Sequence, residues 1–176
     1  MIAYHLDRDH VLHENSFLTL KKTNASTNCD SIQLYGLNSV SHWGHAVYDY
    51  LNNQGQNYDF STAINIQIEL NAEIIRQNYF PEKPSRFKSL FAVKHLEDFK
   101  LWEKFLPVNS DSVIYEVKYE PTQCAALDAS FLKGNVGLSP LQQTEDLIKY
   151  WKGIRSSNPL IELVIPLPVK ILHRVR

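Results

Sequence analysis

At 176 residues, 44% hydrophobic and 11% aromatic, with six glycines and eight prolines spread along it, the chain suits one domain spanning residues 1–176 and falls outside the disordered, collagen-like and low-complexity classes. Eighteen Lys and Arg against nineteen Asp and Glu leave a formal charge of −1, so no global basic field exists and any polyanion site must be local.

Residues 2–6 read as a first strand, and Ser16 to Lys21 as a second. Asn24 to Asp30 is polar and turn-like. Apolar residues three and four apart from Ser41 to Leu51 predict a short helix ending in the loop Asn52 to Asn57. The strongest helical pattern of this half runs from Ser61 to Asn78, with Ile64, Ile68, Ile74 and Ile75 marking one face. Pro81 and Pro84 stop it and lead into Ser85–Ala92, an alternating stretch suited to a strand. A helix over His95–Phe105 follows. Ser112–Tyr119 alternates almost perfectly and is the clearest strand. Cys124–Asp128 is a further short strand and Pro140–Trp151 a helix, and Leu160–Pro166 and Val169–Val175 form a last, apolar hairpin. The order is α+β, without the regular alternation of a doubly wound sheet.

Two cysteines, Cys29 and Cys124, are too few for a disulfide framework and point to a reducing cytoplasm. The first ten residues are charged from Asp7 onward and do not read as a secretory signal, and no apolar run reaches membrane-spanning length. Dinucleotide-fold, P-loop, zincin and nucleophile-elbow motifs are absent. His10-x-x-His13 and His42-x-x-His45 have metal-compatible spacing but no evident third ligand, so the reading is no metal.

What remains is dispersed along the strands: Tyr4-His5 on the first, Ser85-Arg-Phe-Lys-Ser-Leu-Phe-Ala92 in the middle, and Glu162 among Leu160, Ile161, Leu163, Val164 and Ile165. A carboxylate in that company either turns to solvent by strand alternation or has partners or a cleft. Lys149, Lys152 and Arg155 interleave with Tyr150 and Trp151. That composition describes either an amphipathic helix with solvated cations and core rings, or a surface that offers cations to phosphates and rings to bases.

The ordered set resembles an ADP-ribosyltransferase fold of the histidine-tyrosine-glutamate type over Tyr4 to Arg174. It also looks like a bacterial family of such domains carrying the segments found here at Tyr4–Arg8, Ser41–Gly44, Pro84–Ala92 and Tyr150–Gly153. The resemblance implies a single-domain α+β fold of split mixed β-sheets with flanking helices, and NAD as ADP-ribose donor. His5, beside Tyr4, would hold the ribose of the adenosine half, and Glu162 would be the catalytic carboxylate. The family's stacking tyrosine is replaced by Leu90, so the nicotinamide clamp falls to Phe87, Phe91 or Trp102, beside Ser89. Arg86 is read as a clamp for the pyrophosphate, its alternative being a surface charge at a strand end. With His5 and Glu162 it completes the expected catalytic set.

The resemblance implies an acidic or amide residue two positions before the glutamate in arginine-modifying members; that position is Leu160 here, which cannot orient a guanidinium and disfavours arginine as acceptor. The expected acceptor is a nucleobase in RNA or DNA presented by Lys149, Lys152 and Arg155, with a protein side chain second. A toxin or phage-defence role with a neutralising antitoxin protein follows from the resemblance. The competing readings are an NAD glycohydrolase and a catalytically silent nucleotide- or protein-binding domain.

Overall fold

The structure is a computed structural model and describes residues 1–8, 10–24, 30–52, 59–106, 112–132 and 139–176. The expected turn over Asn24 to Asp30 lies mostly outside the described residues, as does most of the loop from Asn52 to Asn57. The strands are β1 Ile2–Asp7, β2 Phe17–Leu18, β3 Lys21–Lys22, β4 Ser39–Val40, β5 Ser89–Ala92, β6 Val113–Lys118, β7 Ala125–Asp128, β8 Ile161–Pro166 and β9 Val169–Arg174. The helices are α1 Asp30–Leu34, α2 His42–Asn52, α3 Phe60–Tyr79, α4 Phe99–Trp102 and α5 Pro140–Lys152. They make a small α+β domain with three sheets, ordered β1-β6-β9-β2, β3-β4 and β5-β8-β7.

Every pairing among the described strands is antiparallel, which corrects the expected mixed sheets. The expected final hairpin is also corrected. β8 pairs with β5 and β7, whereas β9 pairs with β6 and β2, so consecutive strands enter different sheets across Leu167-Pro168. The two larger sheets meet where Tyr4 bridges Val93 and share a core of Ala3, Leu90, Ala92, Val117, Leu163, Ile165 and Ile171.

β8 is apolar nearly throughout because both its faces are covered. Leu163 and Ile165 face the core between the sheets, and Val164 faces α3 and α5 through Ile68, Ala72, Leu147, Tyr150 and Trp151. Glu162 shares the parity of Val164. The solvent-facing alternative for Glu162 is therefore excluded: the residue is 4% exposed.

α3 begins at an Asp59 cap whose side chain accepts from Thr62 N, and it is buried more broadly than one isoleucine stripe. Ile68 and Ile75 join the α5 side, while Ile66 and Leu70 pack with Phe87, Val40 and Val47. The Ser85–Ala92 strand shortens to Ser89–Ala92, preceded by a 3₁₀ turn, Arg86–Lys88. In that turn Ser89 Oγ donates to Ser85 O at 2.7 Å. His95–Phe105 is likewise a 3₁₀ turn, Leu96–Asp98, and the single helical turn α4. Asp98 accepts from His95 N at 3.1 Å and caps that turn.

Gly44 lies where α2 crosses the 3₁₀ turn. A Cβ there would sit 2.6 Å from Val40 Cβ and closer still to the Phe87 carbonyl oxygen. Gly153, the α5 C-cap at φ +72, has open space around it. Gly44→Ala should therefore destabilise through overpacking by about 1–3 kcal/mol, and Gly153→Ala by about 1 kcal/mol through backbone strain alone. Thermal unfolding of both variants checks the order. An unchanged midpoint for Gly44→Ala contradicts this packing.

Candidate active site

Four side chains from four elements meet behind β8. The 3₁₀ turn before β5 supplies Arg86, α3 supplies Glu69, α5 supplies Tyr150 and β8 supplies Glu162, and all four are buried. Arg86 donates through Nε to Glu69 Oε2 at 2.7 Å and through Nη2 to Glu69 Oε1 at 2.8 Å, a two-pronged pair. Its Nη1 donates to Glu162 Oε1 and to the Tyr150 hydroxyl, the latter at 2.5 Å. The phenol in turn donates to Glu162 Oε1 at 2.7 Å. The guanidinium also lies over the Phe91 ring, 4.4 Å from its centroid.

Two carboxylates against one guanidinium give the cluster a formal charge of −1 when both are ionised. Burial raises the Glu162 carboxyl above its ordinary value, with Arg86 and the phenol pulling it partly back. Burial would lower Arg86, but the carboxylates of Glu162 and Glu69 hold it well above its ordinary value. Burial likewise drives the Tyr150 phenol well up, so it stays protonated and donates.

Glu162 Oε1 receives both donors, whereas Oε2 receives none among the described residues. Glu162 lines a cavity of about 200 Å³ together with Glu69, Arg86, Trp102, Phe105, Ala129, Leu132 and Leu160. Trp102 is fixed there by Nε1 donating to Ile161 O at 3.3 Å. The approach to Glu162 is anchored by buried Asp128, which accepts from Ser130 N, Leu160 N and Ser156 N at 3.0, 2.8 and 2.8 Å. Burial pushes that carboxyl up, but these hydrogen bonds outweigh it and hold it below its ordinary value.

The expected site residues divide. Glu162, Arg86 and Trp102 share the cavity. His5 does not line it: its Nδ1 donates to Phe91 O at 2.6 Å, and burial lowers its basicity, so the ring is neutral with Nε2 left as acceptor. Tyr4 packs beside Trp102 in the cluster of Leu6, Val93, Phe99 and Ile114. Phe87 is wholly enclosed among Val40, Val47 and Leu70 and does not line the cavity. Ser89 is buried and bonded to the backbone of Ser85.

Arg86 is not a surface charge: it is buried, and its Nε, Nη1 and Nη2 donate to Glu69, Glu162 and Tyr150. Tyr150 and Trp151 are fully buried, and Trp151 Nε1 donates to Ala72 O. The expected base-stacking surface thus has no exposed rings, and α5 is an amphipathic helix with core aromatics. Lys149 pairs with Asp146 at 3.1 Å, Arg155 donates to Ala126 O, and Lys152 is exposed. None of these three lines the cavity.

A second cavity, of about 240 Å³, is lined by Lys21, His42, His45, Ala46 and Asp49. Among the described residues no group of three or more His, Cys, Asp or Glu is placed to hold a metal. No helix among them is long and apolar enough to cross a membrane.

Fold and site together define a small α+β domain with antiparallel sheets and a buried, acid-rich ion-pair cluster opening on an aromatic cavity. The chain belongs to the family described as "Protein of unknown function (DUF2441)", whose model matches residues 3–176. No curated protein matches it.

Asp128→Asn keeps the shape but weakens three hydrogen bonds to a charged acceptor, at a cost of about 2 kcal/mol, or a midpoint lower by roughly 5 °C. A carboxyl held low in the folded state stabilises above its unfolded value and loses that contribution as pH falls through its folded value. The difference between wild type and Asp128→Asn should therefore be full at neutral pH and shrink in acid. Melts recorded from neutral to acid pH read this out, and a constant difference contradicts the assignment.

Proposed function

We propose that this protein is an NAD-consuming ADP-ribosyltransferase, in which Glu162 stabilises the positive charge that develops on the nicotinamide-side ribose. The observation that carries the reading is the asymmetry of Glu162, which lines an aromatic cavity: one oxygen is held by Arg86 and Tyr150, and the other has no donor among the described residues. The fold assignment that goes with it rests on the ordered motifs and on two antiparallel sheets meeting at the β1–β5 junction.

The donor fits these residues in part. A cavity of about 200 Å³ is below the roughly 300–1,000 Å³ that encloses a whole small-molecule ligand, so it takes one end of the dinucleotide. The net negative cluster and the rings of Trp102 and Phe105 suit the cationic pyridinium ribose end. In the reaction the bond between ribose C1′ and the nicotinamide nitrogen breaks, and nicotinamide leaves neutral with the electron pair. An acceptor nucleophile then bonds to C1′ and loses its proton. The transition state resembles that of glycoside hydrolysis, so a carboxylate held beside the ribose strengthens its interaction as charge grows. Oε2, which has no donor among the described residues, would accept from the ribose 2′-hydroxyl.

A nucleobase in RNA or DNA remains the first acceptor and a protein side chain the second. With Tyr150 and Trp151 enclosed, the nucleic-acid reading rests on exposed Lys152 and Arg155. A defence or toxin role, with a neutralising protein, belongs to the same reading.

Incubation with labelled NAD and, separately, RNA, DNA and protein tests this. The wild type should release nicotinamide and label an acceptor. Glu162→Gln should lower the rate by roughly 10²–10³. It also removes the excess negative charge: a carboxyl raised by burial contributes most in acid and loses that contribution as pH rises through its folded value. At neutral pH the variant should therefore melt at or above the wild-type temperature. Full activity in Glu162→Gln defeats the site, and nicotinamide release without labelling of any acceptor makes the protein a glycohydrolase.

Lys152→Ser together with Arg155→Ser should flatten the salt dependence of nucleic-acid labelling while leaving NAD hydrolysis unchanged. Labelling of protein alone removes the nucleic-acid acceptor.

A further inference from the structure

Glu162 is oriented by two groups outside the expected catalytic set. Tyr150 lies wholly within the core, its ring edge-on to Trp151 with centroids 4.8 Å apart, and its hydroxyl donates to Glu162 Oε1 at 2.7 Å. Among the described residues Glu69 reaches Glu162 through Arg86, gripping Nε and Nη2 so that Nη1 is turned toward Oε1. We infer that Tyr150 and Glu69 are positioning residues for Glu162: the phenol and the Glu69-held guanidinium both bond Oε1 and fix the rotation of the carboxylate, while Oε2 has no donor among the described residues. This rests on the proposed reading of the cavity for its catalytic consequence, though not for its geometry.

The arrangement has a chemical reason. A carboxylate that is to stabilise a growing positive charge must be ionised and must present a fixed oxygen to the ribose. If the donors lay on both oxygens, the ligand would compete with them. If there were none, burial would keep the group protonated. The charged and titratable groups that face Glu162 are Arg86 from the turn before β5, Tyr150 from α5 and Glu69 from α3. They act with different signs. The phenol and Arg86 favour the ionised form, and Glu69, as a like charge, disfavours it while holding Arg86 in place.

Tyr150→Phe removes one oxygen and keeps the ring that fills the core. It should raise the Glu162 carboxyl, move the acid limb of NAD consumption to higher pH, and lower kcat at neutral pH by roughly 10–100-fold with little change in KM, the loss of one hydrogen bond to a charged group. Glu69→Gln should move the carboxyl and the acid limb the other way, to lower pH. The primary measurement is the titration of the Glu162 carboxyl in the full chain by infrared difference spectroscopy, assigned by its disappearance in Glu162→Gln. It needs no NAD and is independent of catalysis.

Opposite displacements in the two variants support the assignment. No displacement in Tyr150→Phe, or displacement of both in the same direction, overturns it. Should Tyr150→Phe fail to fold, Glu69→Gln alone decides by the direction in which the carboxyl moves. If the carboxyl moves as expected in a protein that leaves NAD intact, the positioning stands and the proposed reaction falls. If wild type consumes NAD but neither variant displaces the carboxyl, the reaction stands and the positioning falls.

Discussion

A guanidinium withdrawn from water must find an acceptor for nearly every N–H it carries, and Arg86 finds its acceptors on three other elements: α3, α5 and β8. Removing the guanidinium from such a group leaves two carboxylates buried without compensation, which costs far more than the intact group contributes. The position of Glu162 relative to both helices is thereby determined by directional bonds, where apolar packing alone would tolerate small slips. Packing and pairing agree here. Val164, next but one to Glu162, sits among the same α3 and α5 residues that flank the ion pair.

That cluster requires β8 to be covered on both faces, and the topology supplies the cover. β8 is the middle strand of β5-β8-β7, with the second sheet on one side and the helices on the other. Because the chain changes sheets between β8 and β9, the two sheets are tied at successive residues of one strand pair and again at the Tyr4–Val93 bridge. Asp128 completes the frame by tying the end of β7 to the segment that enters β8.

Much of this frame is legible in the sequence where one periodicity dominates. β1, β6, α2, α3 and α5 fall where alternation or 3.6-residue spacing places them. Arg86–Lys88 fails as a strand because a turn, fixed by the Ser85 carbonyl, satisfies the backbone there. The final pair fails as a hairpin because local pattern says nothing about which sheet a strand enters. The cost of burying Glu162 is visible from its neighbours, but its partners stand 76, 93 and 12 positions away. Glu69 did carry a signal. Lying between Ile68 and Leu70, with Ile66 three residues back and Ala72 three ahead, it sits inside the apolar arc of α3, where an unpaired carboxylate is not tolerated. Tyr150 carried none, since a core tyrosine and a tyrosine bonded to a carboxylate read alike.

That Glu162 Oε2 finds no donor among the described residues follows from the composition of the cavity wall. Phe105, Ala129, Leu132 and Leu160 have no side-chain donor, and the single N–H of Trp102 is committed to Ile161 O. The guanidinium and phenol that do stand close both converge on the other oxygen. An acceptor with no protein donor depends on solvent or a ligand, and among the described residues the wall provides no donor of its own to Oε2. Glu162 thus combines an oxygen bonded to two donors with a place in the wall of a cavity whose other side chains are largely apolar.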